Sequence, residues 1–234
     1  MKKTAIMQPY FLPYIGYWQL IHAVDEFVVY DNIEYTKKGW FNRNRILDGD
    51  HDRPFTIPLK KDSDFLNVNQ RFLSDDSAKE IARLLRIIQS TYRKAPCYAA
   101  AYPVIEACFL YDNKNLFEYN YHAIQRVCEY LGITTKLTIS SCVAIDHSLK
   151  AEQKVLAICK ATHADMYINS IGGTELYDTA KFAANGLELR FIKALPVEYA
   201  QFGNPFVPWL SIIDVLMCNN TNALQRLLEA YELL

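Results

Sequence analysis

Short β-prone segments alternate with helical segments in this chain of 234 residues, and this alternation constrains its fold most strongly. Near the N-terminus, residues 3–7 and 26–30 are typical of strands, and residues 15–23 between them are typical of a helix. A crossover of this kind joins parallel strands and is right-handed in almost all proteins. The first two strands are therefore predicted to lie side by side and to end at the same edge of a sheet.

The same alternation returns in the second half of the chain. Strands are predicted at 135–140, 165–170 and 187–192, and helices at 148–162, 177–184, 209–218 and 221–233. Strands and helices in this order are typical of an α/β fold with a parallel sheet and helices on both faces. The fold is therefore predicted to be Rossmann-like.

The segment between these two regions has different periodicity. A turn signal at Asp48 and Gly49 lies between two β-prone runs and predicts a hairpin, which we expect to cover the rim of the sheet. Helical spacing then recurs in three segments, 74–92, 98–111 and 115–131, the last followed by a glycine at the helix end. We expect one α/β domain over residues 1–234, with residues 74–131 as a helical layer or insertion.

Composition and charge exclude several classes of protein. Hydrophobic residues make up 51% of the chain, enough for a buried core, and the net charge is only −1. A nucleic-acid-binding surface is usually strongly basic, so we expect no nucleic-acid partner. No apolar run approaches the roughly 20 residues that span a bilayer, and the N-terminus lacks the apolar core of a signal peptide. We expect a cytoplasmic protein with no membrane insertion.

The six cysteines and five histidines show neither C-x-x-C pairs nor the spacing of metal ligands. Buried free thiols in a reducing compartment explain this pattern better than disulfides or a zinc site. We therefore expect no bound metal and no cofactor.

The loop after the first predicted strand is the first candidate site. Gln8 can both donate and accept hydrogen bonds, and the aromatic side chains of Tyr10, Tyr14 and Tyr17 could form the wall of a pocket for a sugar or a base. In open α/β sheets, ligands bind beyond the carboxyl ends of the strands, where this loop is predicted to lie. An aromatic corner that only packs in the core is the open alternative.

Three further segments place polar residues near predicted strand ends or helix starts. The first combines an acid, cations, an amide and an aromatic and could hold a phosphate; it contains Asp31, Tyr35, Lys38, Asn42, Arg43 and Arg45. The second is a turn with two adjacent glycines after a strand; it contains Ser170, Gly172, Gly173 and Tyr177. In the third, Ser211 and Asp214 lie three residues apart at a predicted helix start, where capping is the alternative role. For the first segment the alternative is a solvated hairpin, and for the second it is an ordinary turn.

These motifs together resemble the WbqC-like family of bacterial surface-polysaccharide gene clusters. The residues that carry the resemblance are Gln8, Pro9, Tyr10, Phe11, Pro13, Tyr14, Gly16, Tyr17, Asp31, Asn42, Arg43, Asn44, Tyr92, Ala95, Pro96, Tyr167, Ser170, Gly172 and residues 210–214. The resemblance implies a cytoplasmic role in making O-antigen or capsule sugars. The chain departs from the family pattern at residues 217–220, where an aromatic-Asn-x-Gly run is expected.

A more distant resemblance, to nucleotidyltransferases and pantothenate synthetases with a HIGH motif, is used only as a fold analogy. Residues 13–17 keep the glycine of that motif but contain no histidine, so nucleotidyl transfer by the usual route is not expected. The analogy implies a fold of the HUP/nucleotidyltransferase-like type that can still bind nucleotides.

Two hypotheses follow for the function. In the first, the protein is a transferase that places an acyl or similar group on a nucleotide-activated amino sugar, with Asp31, Gln8 and Asp214 as catalytic candidates and the remaining candidates as substrate-binding residues. In the second, it is a non-catalytic binder of a nucleotide-sugar, or a complex-forming partner of other enzymes of the pathway. A homodimer is compatible with either hypothesis.

Overall fold

The computed structural model of the protein describes residues 1–63, 65–203 and 205–234. In chain order its elements are β1 (Lys3–Met7), α1 (Ile15–His22), β2 (Glu26–Val29), β3 (Arg43–Asp48), β4 (His51–Thr56), α2 (Ser77–Tyr92), α3 (Tyr98–Phe109), α4 (Leu116–Leu131), β5 (Lys136–Ile139), α5 (Ala151–Ala161), β6 (Met166–Ser170), α6 (Thr179–Ala184), β7 (Glu188–Ala194), α7 (Ile212–Cys218), α8 (Thr221–Glu229) and β8 (Tyr231–Leu233). Short 3₁₀ turns occur at Val68–Gln70, Ser140–Cys142 and Ile171–Leu176.

Six of the strands form the central sheet, in the order β5-β2-β1-β6-β7-β8. All neighbours in it are parallel except β7 and β8. If these six strands are counted along the chain, the order is 3-2-1-4-5-6, which is the order of doubly wound sheets that bind ligands where the strand order reverses. In this protein the reversal lies between β1 and β6, so a ligand site is expected at the carboxyl ends of these two strands.

Both faces of the sheet are covered by helices, as predicted. Because side chains alternate along a strand, Ala5 and Phe27 lie in one buried cluster while their neighbours Ile6 and Val28 lie in another. The first cluster includes buried residues of α1 to α4, α7 and α8, and the second includes buried residues of α5 and α6. The near-continuous apolar sequence of the central strands reflects burial on both faces.

The C-terminus differs from the prediction of a helix over 221–233. Helix α8 ends at Glu229, and Tyr231–Leu233 pairs antiparallel with β7, so the sheet is mostly rather than wholly parallel. The backbone N–H and carbonyl of Phe191 exchange hydrogen bonds with Leu234 at 3.0 and 2.9 Å. The edge of β7 offers unpaired backbone groups to the last residues, and this long-range pairing outweighs their local helical preference.

The loop after β1 is fixed from two sides by buried asparagines. On β3, the side-chain amide of Asn44 donates to the carbonyl oxygens of Phe11 and Leu12 at 3.0 and 2.7 Å. On α4, the amide of Asn120 donates to the carbonyl oxygen of Pro9 at 2.8 Å. The structure contains the predicted hairpin, formed by β3 and β4, and the three predicted helices between β4 and β5. Strand β3 and helix α4 of this segment hold the loop in place through Asn44 and Asn120.

Candidate functional site

Two adjoining cavities lie at the carboxyl edge of the sheet, where the strand order reverses. One has a volume of about 580 Å³ and the other of about 910 Å³. Met7 at the end of β1, Tyr10 in the following loop and Ser170 at the end of β6 line both of them. We call the smaller one the aromatic cavity and the larger one the polar cavity, and together they form a continuous candidate site across the switch point.

The aromatic cavity has walls made largely of aromatic rings. These are the rings of Tyr10, Tyr14, Tyr17, Trp40 and Trp209. The ring centres of Tyr14 and Trp209 are 5.0 Å apart, and those of Tyr10 and Tyr17 are 6.0 Å apart. Flat apolar walls of this kind suit the faces of a sugar ring or a nucleobase, because both bury apolar surface against a ring. The prediction that Tyr10, Tyr14 and Tyr17 form part of one pocket agrees with this arrangement.

Two arginines of β3 lie over the Trp40 ring. The guanidinium carbons of Arg43 and Arg45 are 5.0 and 5.7 Å from its centre, within the range of cation–π attraction. Arg45 lines the aromatic cavity and forms an ion pair with Asp52 at 3.4 Å. Within the described chain, Arg43 has no ion pair, and its buried Nε has no hydrogen-bond partner. Both guanidinium groups therefore lie against the Trp40 ring, and of the two only Arg45 lines the aromatic cavity.

The polar cavity brings together the ends of β1 and β6. The Tyr10 hydroxyl donates to Oε1 of Gln8, which leaves the amide nitrogen of Gln8 to donate elsewhere. At the end of β6, the backbone N–H of Ser170 donates to Oδ1 of Asn169 at 2.8 Å. A Cβ on Gly173 would lie 2.6 Å from Nδ2 of Asn169, so only glycine allows this close approach. The double-glycine turn thus forms a tight wall of the cavity.

Lys154 lines the same cavity and is not among the site residues predicted from the sequence. Its side chain is on α5 and the residue is only 4% exposed. The ammonium lies 4.9 Å from the centre of the Tyr30 ring, and within the described chain no hydrogen-bond acceptor or ion-pair partner contacts it. Burial lowers the pKa of Lys154, and attraction by the charge of Asp31 partly opposes this effect.

A sequence signal for Lys154 exists in the helical pattern. The buried residues of α5 are Lys154, Val155, Ile158 and Cys159, which follow the helical spacing of one face. Lys154 precedes Ile158 by one turn and therefore occupies the apolar stripe. A lysine in such a stripe is unusual, because burial of an unpaired ammonium is unfavourable.

Asp31 lies beside this site but does not line either cavity. Its carboxylate accepts hydrogen bonds from Oγ of Ser140, the backbone N–H of Ser141 and Nδ2 of Asn69, at 2.8, 2.9 and 2.8 Å. Burial acts to raise the pKa of Asp31, but hydrogen bonds from Ser141, Ser140 and Asn69 outweigh it, and the net pKa is lowered. The carboxylate therefore ties three segments together, and this geometry does not support a general-base role.

Asp214 is fully buried away from both cavities. Its carboxylate accepts hydrogen bonds from the hydroxyls of Tyr92 and Tyr199 and from Nε2 of Gln201, at 2.9, 2.7 and 2.7 Å. Burial raises the pKa of Asp214, although these hydrogen bonds oppose the shift. The hydroxyl of Ser211, three residues earlier, caps α7 by accepting from the N–H of Ile213 at 3.3 Å. This pair has a structural role, so the catalytic interpretation of Asp214 is not supported.

Two other predicted binding residues, Tyr35 and Asn42, are buried and hydrogen-bonded to each other. Asn42 is buried, donates to the carbonyl oxygen of Ile57 at 2.7 Å and accepts from the Tyr35 hydroxyl at 3.0 Å. Lys38 is exposed and lines neither cavity.

The structure therefore divides the predicted site residues into three sets. The aromatic cavity contains Tyr10, Tyr14, Tyr17, Arg45 and Ser170. The polar cavity contains Gln8, Tyr10, Ser170, Gly172, Gly173 and Tyr177. Neither cavity is lined by Asp31, Tyr35, Lys38, Asn42, Arg43 or Asp214.

In residues 1–63, 65–203 and 205–234, no group of three or more His, Cys, Asp or Glu side chains is arranged to hold a metal ion. None of the helices in these ranges combines the length and the apolar character needed to cross a bilayer.

Comparison with known proteins identifies relatives over almost the whole chain. The sequence profile of the WbqC-like protein family matches residues 8–226. The uncharacterized protein Rv1507c of Mycobacterium tuberculosis is 29% identical over 220 residues, which cover 92% of this chain and 93% of the mycobacterial protein. No solved structure matches the chain significantly. The matched region includes nearly all residues that line the two cavities.

Proposed function

The chain belongs to the WbqC-like protein family, and on this premise we propose that it is a cytoplasmic transferase that acts on a nucleotide-activated sugar. The reaction that we propose is transfer of an acyl or similar group to an amino sugar, in the synthesis of O-antigen or capsular polysaccharide. For the fold, we propose membership of the HUP/nucleotidyltransferase-like group of Rossmann-like folds. The strand order of the sheet supports this assignment.

The observation that carries the proposal is the pair of cavities that share Met7, Tyr10 and Ser170. A nucleotide-activated sugar has rings at both ends and a polar, charged linker between them. An aromatic cavity beside a polar cavity matches this division, because rings bury their faces on aromatic walls and charged groups need polar partners.

In this proposal, the amine of the sugar attacks the carbonyl carbon of an acyl thioester. The C–N bond of the amide forms, the C–S bond of the thioester breaks, and the sulfur leaves as a thiol with the proton that the amine gives up. Gln8 and Ser170 are the groups that we assign to the reacting atoms. The free amide nitrogen of Gln8 could donate to the oxygen on which negative charge develops. The hydroxyl of Ser170, at the junction of the two cavities, could orient the sugar. Asp31 and Asp214 hold the surrounding segments and take no part in proton transfer.

A specific observation favours the second candidate function, a non-catalytic binder of the same ligand. The carboxylates of Asp31 and Asp214 are 2% and 0% exposed and their oxygens accept hydrogen bonds from the protein. The described part of the chain therefore offers no free carboxylate among the predicted catalytic residues.

Thermal unfolding with a panel of ligands tests the binding step that both candidates share. We expect millimolar UDP-, dTDP-, GDP- or CMP-linked sugars to raise the Tm, because a ligand that binds only the folded state stabilises it. No rise in Tm with any member of the panel would contradict both candidates.

Turnover then separates the two candidates. A nucleotide-linked amino sugar is incubated with the protein and an acyl thioester, and the product is measured by mass spectrometry. An acylated sugar supports the transferase, and binding without any product supports the binder. The variant Gln8→Ala should abolish product formation more strongly than it weakens binding, because Gln8 is assigned to charge that develops in the transition state.

A further inference from the structure

The polar cavity is lined by a buried lysine, Lys154, that has no ion-pair partner among the described residues. Lys154 is 4% exposed, its ammonium lies 4.9 Å from the centre of the Tyr30 ring, and among the described residues it has no hydrogen-bond acceptor and no ion-pair partner. Asp31 attracts it from a distance, but the oxygens of Asp31 are bound by Ser140, Ser141 and Asn69. The Nζ atom of Lys154 is not among the fully buried atoms without a partner, so it is accessible from the cavity that Lys154 lines. An anionic ligand there would supply the hydrogen-bond acceptors that the described residues do not.

The N-terminus of α5 opens into the same cavity. This helix has 11 residues, and its N-cap residue, Lys150, makes no side-chain hydrogen bond to the first turn. Residues 148–152 line the cavity together with Lys154. The first N–H groups of a helix lack partners within it, and they carry the positive end of the helix dipole. An anion placed there would contact both the backbone N–H groups and the ammonium of Lys154.

The other charged groups that line this cavity leave room for an anion. Glu152 accepts from the backbone N–H of Asp178 and from Nζ of Lys181, both at 2.9 Å, so its charge is balanced at α6. Both ring nitrogens of His147 are engaged, by Asn32 at 3.1 Å and by the carbonyl of Val143 at 3.0 Å.

The two remaining charges are those of Glu34 and Lys150, which also line the cavity. Glu34 is an exposed residue, whereas Lys154 is buried, so solvent screens the negative charge more than the positive one. Gly172, which also lines the cavity, has no atom within 4 Å of where its Cβ would lie, which leaves open space for a bulky group.

We infer that a phosphate group binds in the polar cavity between the ammonium of Lys154 and the first backbone N–H groups of α5. In this inference, Lys154 binds the phosphate in place of Arg43 and Arg45. A ring of the ligand then binds in the aromatic cavity. This inference deepens the proposed function. The phosphate site itself is argued from Lys154 and α5, and only the assignment of that phosphate to a nucleotide-activated sugar rests on the proposed function.

Calorimetric titration with inorganic pyrophosphate, UDP and uridine tests the inference. The variants are Lys154→Met, which keeps the length of the side chain and removes the charge, and Lys160→Met, an exposed lysine on the same helix, as the control. We expect pyrophosphate and UDP to bind the wild type, and Lys154→Met to weaken both by about tenfold or more, as for loss of a charged hydrogen bond. Lys160→Met should bind both probes like the wild type, and uridine should not distinguish the variants. Circular dichroism confirms that each variant is folded.

The outcomes separate this inference from the proposed function. If UDP binds and Lys154→Met binds it as tightly as the wild type, the phosphate site is wrong while the nucleotide-sugar proposal stands. If pyrophosphate binds through Lys154 but no nucleotide-sugar raises the Tm, the phosphate site stands and the proposed substrate class is wrong. If the wild type binds neither pyrophosphate nor UDP, the inference is overturned.

Discussion

Tyr14 and Trp209 contact each other in the wall of the aromatic cavity, with their ring centres 5.0 Å apart and their planes at 53°. Tyr14 is the N-cap residue of α1, and Trp209 lies shortly before α7. One wall of the cavity is therefore built from segments near opposite ends of the chain. Binding of a ring in this cavity should depend on both segments, although they are far apart in sequence.

The first prediction concerns Trp209. The residue is 59% exposed, so Trp209→Ala should change the free energy of unfolding by less than about 1 kcal/mol. It should weaken the binding of a nucleotide-sugar by about tenfold, because stacking on an aromatic ring contributes roughly 1–3 kcal/mol. Calorimetry and thermal unfolding measure the two effects. Leu110→Ala is the control, since Leu110 is 60% exposed and lines neither cavity; equal losses of affinity in both variants would contradict the prediction.

The second prediction uses the adjacent glycines after β6. In Gly173→Ala the new Cβ would meet Nδ2 of Asn169 at 2.6 Å, whereas in Gly172→Ala it would meet no atom within 4 Å. We expect Gly173→Ala to displace Asn169, to cost about 1–3 kcal/mol of stability and to weaken ligand binding. Gly172→Ala should leave the stability close to that of the wild type, because its new Cβ meets no atom of the protein. Chemical denaturation measures the stability of the two variants, and calorimetry measures ligand binding. Equal stability of the two variants would contradict the close approach of Gly173 to Asn169.

The third prediction is that Lys154→Met stabilises the protein without ligand. Burial lowers the pKa of Lys154, so the unfolded state binds more protons than the folded state between the lowered pKa and the usual value of 10.5. Removing the buried charge should raise the free energy of unfolding at neutral pH by about 1 kcal/mol.

The pH dependence of the free energy of unfolding tests the prediction for Lys154→Met. The stability of the wild type should rise with pH in that window, and the gain from Lys154→Met should shrink accordingly. Urea denaturation at several pH values measures both variants. A loss of stability at neutral pH in Lys154→Met would mean that the ammonium has a stabilising partner within the protein.

The fourth prediction concerns the hydrogen-bond network of Asp214. In Asp214→Asn the new amide group faces donors that now bind a carboxylate, among them Nε2 of Gln201 at 2.7 Å. We expect a loss of about 2 kcal/mol at neutral pH, because buried donors are left unsatisfied. Asp76→Asn, at an exposed helix start with no side-chain cap bond, should change stability by less than about 1 kcal/mol.

The raised pKa of Asp214 determines how the stability difference between the wild type and Asp214→Asn changes with pH. A carboxyl whose pKa is raised by folding contributes stability below its unfolded pKa of 3.8, and this contribution is lost as the pH rises through the raised value. The wild type should therefore gain stability over Asp214→Asn as the pH falls through this window. Thermal unfolding from neutral to acidic pH tests it, and a constant difference would show that Asp214 does not titrate abnormally.

The positions of most strands and helices could be predicted because the signals are local. The turn at Asp48 and Gly49 forms the hairpin of β3 and β4, with Gly49 at φ 67°. Gly132 follows α4 in the left-handed region, at φ 69°, as the glycine after a helix often does. Periodicity and turn chemistry act over a few residues, so the sequence alone carries them.

The candidate site could be predicted only in part. The sequence placed Gln8, Tyr10 and Ser170 at strand ends, and parallel strands bring these ends to one edge. It could not show that Asp31 turns its carboxylate to Ser140 and away from the cavity, because the partner is more than a hundred residues away.

By itself, the sequence determined the local elements, the family and the edge of the sheet at which the two cavities lie. Only the tertiary structure decided the strand order, the antiparallel β8 and which polar side chains face a cavity. Lys154 illustrates the difference. Its helix is predicted from spacing, but its burial beside Tyr30 depends on packing between α5 and the sheet. Burial and hydrogen-bond partners arise from contacts between distant segments, and no local pattern specifies them.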